Sequence, residues 1–302
     1  MQNRLKAKLL NGEKAVGTMS QLGCQAAVEC LGIAGLDFFI IDMEHTAIGP
    51  ENMRSLIVAS EKYRITPLVR IPVITRDAVL KALDSGAGGL IVPAIETAEQ
   101  VRELIRFAKY PNDGVRGFSM TRAASYGYDE IARDPNKYFR HFNEETLVIP
   151  QCETRGCLDN IEEIAAVQGV DGIFIGPFDL SAALGCPADF ENAGFQCAVK
   201  RVLNVCRTQN KFVFMLSGSP EQAASLFAEG FSGVVFGLDI NILIDAYRAA
   251  AETLNAAPHV RKVNVSNQIA QIGQIVQTTL PETEPPEKCG DCFAEYLAQL
   301  GG

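Results

Sequence analysis

The sequence predicts a (β/α)8 TIM barrel with a C-terminal extension, and three observations carry that expectation. Eight short apolar runs recur between residues 15 and 237, each followed by an amphipathic or turn-forming segment. The runs are continuously apolar rather than alternating, as expected for strands buried on both faces of a parallel sheet. Eight such units also fit one domain of about 250 residues, the usual size of this barrel. An open doubly wound sheet would want a phosphate-binding glycine fingerprint after its first strand, and Gly17 to Gly23 contains no G-x-G-x-x-G.

Taken in order, Ala15–Met19 reads as the first strand and Cys24–Ala34 as its helix. Phe38–Asp42 is the second strand, with a helix at Glu51–Tyr63. Pro67–Arg70 is followed by a helix at Thr75–Ser85, and Gly89–Pro93 by one at Thr97–Lys109. A long connection, Tyr110–Glu145, leads to a fifth strand at Leu147–Glu153 and a helix at Gly156–Val167. Gly172–Gly176 is the sixth strand, trailed by a turn near Leu180 and a helix around Gln196–Thr208. Phe212–Leu216 with Pro220–Glu229, and Gly233–Gly237 with Asn241–Leu254, complete the set. The barrel is expected to span residues 1–255 and the extension 256–302.

Composition narrows the functional classes. A net charge of −9 without a basic cluster does not fit nucleic-acid binding. No apolar run approaches the ~18 residues that a membrane span needs, and the N-terminus lacks a signal-peptide core. Of the nine cysteines most fall in predicted helices and strands, which fits mostly buried thiols in a reducing, cytoplasmic setting.

In a barrel, function gathers where the strands end. The second strand finishes on Asp42, Glu44 and His45, the third on Arg70, the fifth on Gln151 and Glu153, and the sixth on Gly176-Pro-Phe-Asp179. Glu153 and Asp179 are carboxylates on neighbouring strands, a donor pair suited to Mg²⁺ or Mn²⁺, with Co²⁺ a further candidate. The structural alternatives are surface charges or, for Asp179, a helix N-cap. Arg70 follows three apolar residues, so its guanidinium enters the rim, either to hold a carboxylate and a developing enolate or to form a salt bridge with Asp42 or Glu44. His45 is a candidate base oriented by Asp42. The backbone N–H groups of Phe178 and Asp179 open a helical turn and suit a substrate carboxylate. No lysine ends a strand, so metal-assisted enolate chemistry is preferred to a Schiff base. The set describes a site for a small 2-oxo acid.

Six motifs, Ile41-Asp-Met-Glu-His45, Pro67-Leu-Val-Arg70, Gly114-Val-Arg-Gly117, Arg122-Ala-Ala, Gln151-Cys-Glu153 and Gly176-Pro-Phe-Asp-Leu-Ser181, resemble the HpcH/HpaI aldolase family in order and spacing from about residue 4 to 255. The resemblance implies metal-dependent cleavage of a 4-hydroxy-2-oxo acid to pyruvate and an aldehyde. It implies Glu153 and Asp179 as metal ligands, His45 as acid/base, Arg70 as transition-state stabiliser, and substrate contacts at Gln151 and Phe178. It also implies an acid at Asp84 that raises the basicity of the histidine. Asp84 precedes the fourth strand, so it would have to act from a neighbouring subunit. The resemblance further implies a homo-oligomer, often a hexamer that exchanges its last helix. Two departures bear on substrate: Met43 stands where glycine is frequent and is expected to narrow the pocket, and the loop 119–127 offers Arg122 and Tyr126 to the aldehyde. Oxaloacetate decarboxylation and a citrate-synthase-like condensation with an acyl-CoA use the same enolate. A non-enzymatic assembly protein is the remaining reading, opposed by the intact rim.

Past Leu254 the chain turns polar, passes Pro281-Glu-Thr-Glu-Pro-Pro-Glu287 and reaches Cys289-Gly-Asp-Cys292. That pair is read as a metal half-site, a disulfide, or neither, within a segment that docks on a subunit.

Overall fold

The computed structural model describes residues 2–256, so the readings placed on residues 257–302, including Cys289 and Cys292, lie outside the described residues. Its strands are β1 Ala15–Ser20, β2 Phe38–Asp42, β3 Thr66–Arg70, β4 Gly89–Val92, β5 Leu147–Cys152, β6 Gly172–Ile175, β7 Phe212–Ser217 and β8 Gly233–Leu238. All pair in parallel in chain order, and β8 closes on β1, so the barrel is complete.

Helix α1 (Arg4–Leu10) precedes β1, and α2 (Gln25–Ile33), α3 (Pro50–Tyr63), α4 (Arg76–Ser85) and α5 (Ala98–Ala108) follow the first four strands. Helix α6 (Pro135–Glu145) leads into β5, which is followed by α7 (Arg155–Asp159) and α8 (Ile161–Ala166). After β6 come α9 (Pro177–Ala183) and α10 (Ala193–Thr208), after β7 α11 (Pro220–Glu229), and after β8 α12 (Asp239–Ala256). The turns out of the strands carry the capping residues that start these helices. Thr75, Thr97, Thr154 and Ser219 each accept a hydrogen bond from an N–H three residues on, and Thr97 with Gln100 completes a capping box.

Strand alternation divides the core into two layers. One parity points into the lumen, where Met19, Phe38, Ile40, Leu68, Ile91, Ile149, Phe174, Phe214 and Val235 pack together. The other parity, including Phe39, Ile41, Val69, Leu90, Val148 and Ile173, packs against the helices. Leu5 and Leu9 of α1 join the lumen cluster and plug the end where the strands begin. Lumen parity continued to the strand ends reaches Asp42, Arg70, Gln151, Glu153 and Gly176, so the core that builds the barrel also aims the candidate site.

Three elements differ from the sequence expectation. Helix α1 is absent from it, because seven residues with two buried leucines make too short a periodic signal. The long connection contains α6 and two 3-10 turns, Arg122–Gly127 and Glu130–Arg133. Here Asp134 caps the helix and Pro135 occupies its first turn, while Tyr138 and Phe139 pack on Tyr110 and Phe142 packs on Tyr138. The single helix expected at Gly156–Val167 breaks at Asn160, whose side chain donates to the carbonyls of Glu96 and Gly156.

Candidate active site at the carboxyl end of the barrel

Register brings the first pair together: Asp42 of β2 lies opposite Arg70 of β3. The Arg70 fork grips the carboxylate, Nε to Oδ1 at 2.9 Å and Nη2 to Oδ2 at 2.8 Å. The same carboxylate accepts the Gln21 amide at 2.9 Å and the backbone N–H groups of Glu44 and His45 at 3.2 Å each. Burial works against charge on Asp42, but Arg70, Gln21 and the His45 N–H outweigh it and hold the carboxyl below the usual range.

This corrects the expected role of Asp42. Its side chain faces the lumen and fixes Arg70, while it reaches His45 only through the backbone. The acid beside the imidazole is Glu44, whose Oε2 lies 3.6 Å from His45 Nε2 and 3.3 Å from Arg70 Nε. The His45 side chain is 58% exposed at the mouth, open to a substrate.

Opposite this cluster, Glu153 is buried at the end of β5. Its Oε1 accepts the N–H of Ala94 at 2.7 Å, presented by a left-handed turn at Ala94 after β4, and its Oε2 takes the Gln151 amide. Burial pushes the Glu153 carboxyl up; the Ala94 N–H and Gln151 oppose the rise, and the charges of Glu44 and Asp179 add to it. Glu44 behaves similarly: burial raises it, Arg70 and His45 oppose, and Asp42 and Asp179 add. Three carboxylates, two just past the ends of β2 and β5 and one in α9, therefore act on one another. Two buried oxygens there, Glu44 Oε2 and Gln151 Oε1, have no hydrogen-bond partner among the described residues.

Asp179 lies in the first turn of α9, and Gly176 rather than Asp179 is the N-cap. Gly176 donates its own N–H to the Cys152 carbonyl, so its part is steric. A Cβ there would stand 2.8 Å from Glu153 Oε2 and 2.9 Å from Gln151 Nε2. Gly176→Ala is expected to displace both side chains and lower activity by roughly tenfold or more, because a misplacement of about 1 Å is costly at a reacting centre. Steady-state kinetics beside a thermal melt will separate that loss from unfolding. Phe178 is exposed and stands edge-on to Phe190 at 5.2 Å, on the rim beside Asp179.

The acids fit a hard divalent cation. Glu153 and Asp179 would supply carboxylate oxygens, and Gln151 Oε1, without a hydrogen-bond partner among the described residues, adds acceptor capacity beside Glu153. Among the described residues no group of three or more His, Cys, Asp or Glu stands together as a metal site.

Other expected residues lie elsewhere. Asp84, near the end of α4, pairs with Arg116 at 2.7 Å, and Arg116 covers the Tyr110 ring. That places Asp84 at the rim where strands begin, opposite its own His45. Arg122 donates to the Ser85 carbonyl at 2.9 Å and pairs with Glu61, and Tyr126 accepts from Arg54, so both lie along the outside of α3 and α4 rather than over the mouth. Met43, just past β2, packs partly buried against the helix-layer core instead of narrowing the pocket. Sequence reading passed over Gln21 and Asp239. Asp239 is buried and binds Ser20 Oγ at 3.0 Å and the N–H groups of Gln21 and Ile240 at 2.8 Å each. Its available signal was an acid opening a helix directly after a strand.

A closed parallel barrel with charged side chains converging on its carboxyl rim defines a barrel enzyme. The chain belongs to the HpcH/HpaI aldolase/citrate lyase family, whose model matches residues 20–246. It is 34% identical over 253 residues to a hydroxypyruvate/pyruvate aldolase of Pseudomonas aeruginosa, covering 82% of this chain and 91% of that one. It is 30% identical over 251 residues to a 5-keto-4-deoxy-D-glucarate aldolase of Shigella dysenteriae, covering 83% and 96%. The solved structure of citrate synthase SbnG matches at a TM-score of 0.76 and 28% identity, covering 84% of this chain and 98% of that one.

Proposed function

We propose that the protein is a divalent-metal-dependent aldolase that cleaves a 4-hydroxy-2-oxo acid to pyruvate and an aldehyde. The observation that carries this is the Arg70 guanidinium, clamped by Asp42 and 3.3 Å from Glu44, whose carboxylate in turn feels Asp179 and acts on Glu153. Glu153 and Asp179 would hold Mg²⁺ or Mn²⁺, which when bound supplies Lewis-acid polarisation of the 2-oxo group.

The protein's own residues do the rest. The N–H groups of Phe178 and Asp179 open α9, have no preceding helical carbonyl, and receive the substrate carboxylate. Gln151, through its unpartnered Oε1, and Phe178 bound the pocket. His45, polarised by Glu44, takes the proton from the C4 hydroxyl. The C3–C4 bond breaks, its electron pair becomes the enolate, and the C4 oxygen becomes the aldehyde carbonyl. Arg70 balances the enolate oxygen charge until C3 is protonated and pyruvate leaves.

The exposed apolar face of α12, Ile242, Leu243, Ile244 and Tyr247, supports a homo-oligomer, with a hexamer as the working assembly. Only a second copy can bring Asp84 to a mouth. The barrel is the catalytic unit, with residues 256–302 an appended docking segment, and the enzyme works in the cytoplasm on a small-molecule substrate. Among the described residues no helix is long and apolar enough to cross a membrane.

Pyruvate release from a panel of 4-hydroxy-2-oxo acids is expected with Mg²⁺ or Mn²⁺ and is expected to vanish with EDTA. The likeness to a citrate synthase favours one second reading, in which the same enolate condenses with an acyl-CoA. Release from oxaloacetate alone would move the function toward decarboxylation or that condensation.

A further inference from the structure

We propose that Gln21 and Asp239 are positioning residues for Arg70, acting through a hydrogen-bonded chain that runs from the β8–α12 corner across β1 to Asp42. The role assigned to Arg70 rests on the enolate reading above.

The chain is continuous. Asp239 accepts the Gln21 N–H at 2.8 Å, the Leu22 N–H at 3.3 Å and the Ser20 hydroxyl at 3.0 Å, so it fixes the backbone just after β1. It is anchored in turn by the Ile240 N–H at 2.8 Å, within the first turn of α12. Held this way, Gln21 delivers its amide to Asp42 Oδ2 at 2.9 Å. That oxygen is the one that receives Arg70 Nη2. The donors to Oδ1 come from Arg70 and the β2 turn, so Gln21 supplies the restraint from the β1 side. Without it the carboxylate keeps its ion pair but gains freedom to turn, and the guanidinium turns with it. With Nε and Nη2 committed to Asp42, Nη1 is the guanidinium nitrogen left for a ligand. A site of this kind needs its charged groups held within about 0.5 Å.

Neither residue touches substrate in this scheme, so the signature is selective. Oxalate mimics the planar enolate, whereas pyruvate mimics the ground state. In the Mn²⁺-loaded full-length protein, Gln21→Leu and Asp239→Ala are expected to weaken oxalate binding by roughly tenfold, about the loss of one hydrogen bond to a charged group. Pyruvate affinity should stay within about twofold, and kcat should fall while KM holds. Asp239→Asn keeps an acceptor for the three N–H groups and is expected to restore oxalate binding. Calorimetric titrations with oxalate and pyruvate, paired with thermal melts, make the comparison. If Asp239→Ala does not fold, Gln21→Leu decides. Equal losses for both ligands, or wild-type oxalate affinity in Gln21→Leu, would overturn the proposal. Selective oxalate loss in a protein that releases pyruvate from no hydroxy-oxo acid would uphold the positioning role and overturn the aldolase reading alone. A wild-type protein that binds no oxalate would overturn both.

Discussion

Arg70→Ala is expected to lower kcat for pyruvate release by roughly 10²–10³-fold, the usual consequence of removing one group that stabilises a developing oxyanion. It is also expected to destabilise the fold, and the two effects have one origin. The Asp42 side chain is fully buried and its charge is balanced by the Arg70 fork. Removing one partner of a buried pair leaves an uncompensated charge and costs about 3–5 kcal/mol. Gln21 and the N–H groups of Glu44 and His45 still solvate the carboxylate, which puts the loss at the lower end of that range. Arg70→Lys keeps the charge but loses the two-pronged geometry, so its kcat should fall between those of the wild type and the alanine variant. The pH dependence follows from Asp42. Its folded pKa lies below the unfolded value, so it contributes stability above the unfolded pKa that is lost as pH falls through the folded one. In Arg70→Ala that contribution shrinks, and acid unfolding should begin at a higher pH than in the wild type. Kinetics with thermal and acid denaturation of both variants test these expectations together; wild-type kcat in folded Arg70→Ala would remove Arg70 from the mechanism.

The barrel was legible in the sequence because its strands are buried on both faces, and a continuous apolar run survives without knowledge of partners. The rim was legible for the same reason: Asp42, Arg70, Gln151 and Glu153 interrupt or end such runs. A salt bridge of Arg70 with Asp42 or Glu44 was among the sequence readings, and both pairs form; what could not be read was which acid stands beside His45. Proximity in sequence favoured Asp42 with His45, but side-chain direction on a strand decides the matter. Asp42 points into the lumen at the register position of Arg70, whereas His45 lies beyond the strand. Gln21 and Asp239 escaped because a polar loop residue carries no periodic signal, and their meaning arises only when β8 closes on β1. Within the connection 110–145, Asp134-Pro135 marks the start of α6, but its aromatic residues pack with Tyr110 in a small cluster of their own and carry no barrel periodicity.

Glu153→Gln is expected to abolish metal-dependent turnover and to raise the melting temperature of the metal-free protein at neutral pH. The two outcomes oppose each other because the carboxylate is held for its ligand at a cost to the fold. Burial raises the Glu153 pKa, with Glu44 and Asp179 adding to the rise. A folded pKa above the unfolded one means the native state binds the proton more tightly. That stability is full below the unfolded glutamate value of about 4.3 and is lost as pH rises through the folded value. Where Glu153 is ionised, the metal-free protein carries a buried carboxylate repelled by Glu44 and Asp179. Glutamine removes the charge and keeps an acceptor for the Ala94 N–H. Its new N–H₂ group would face Gln151 Nε2, but a flip of the Gln151 amide presents the unpartnered Oε1 instead. Each kcal/mol recovered should raise Tm by roughly 2–4 °C for a chain of this size. Divalent cation should reverse the ranking. At 100 times its Kd it stabilises the wild type by about 2.7 kcal/mol through mass action and leaves Glu153→Gln nearly unmoved. Melts of both proteins from pH 4 to 8, with Mn²⁺ and with EDTA, measure this directly. Equal Mn²⁺ shifts in the two proteins would place the cation elsewhere, and a lower metal-free Tm for the variant would show that the Glu153 charge is compensated without a ligand.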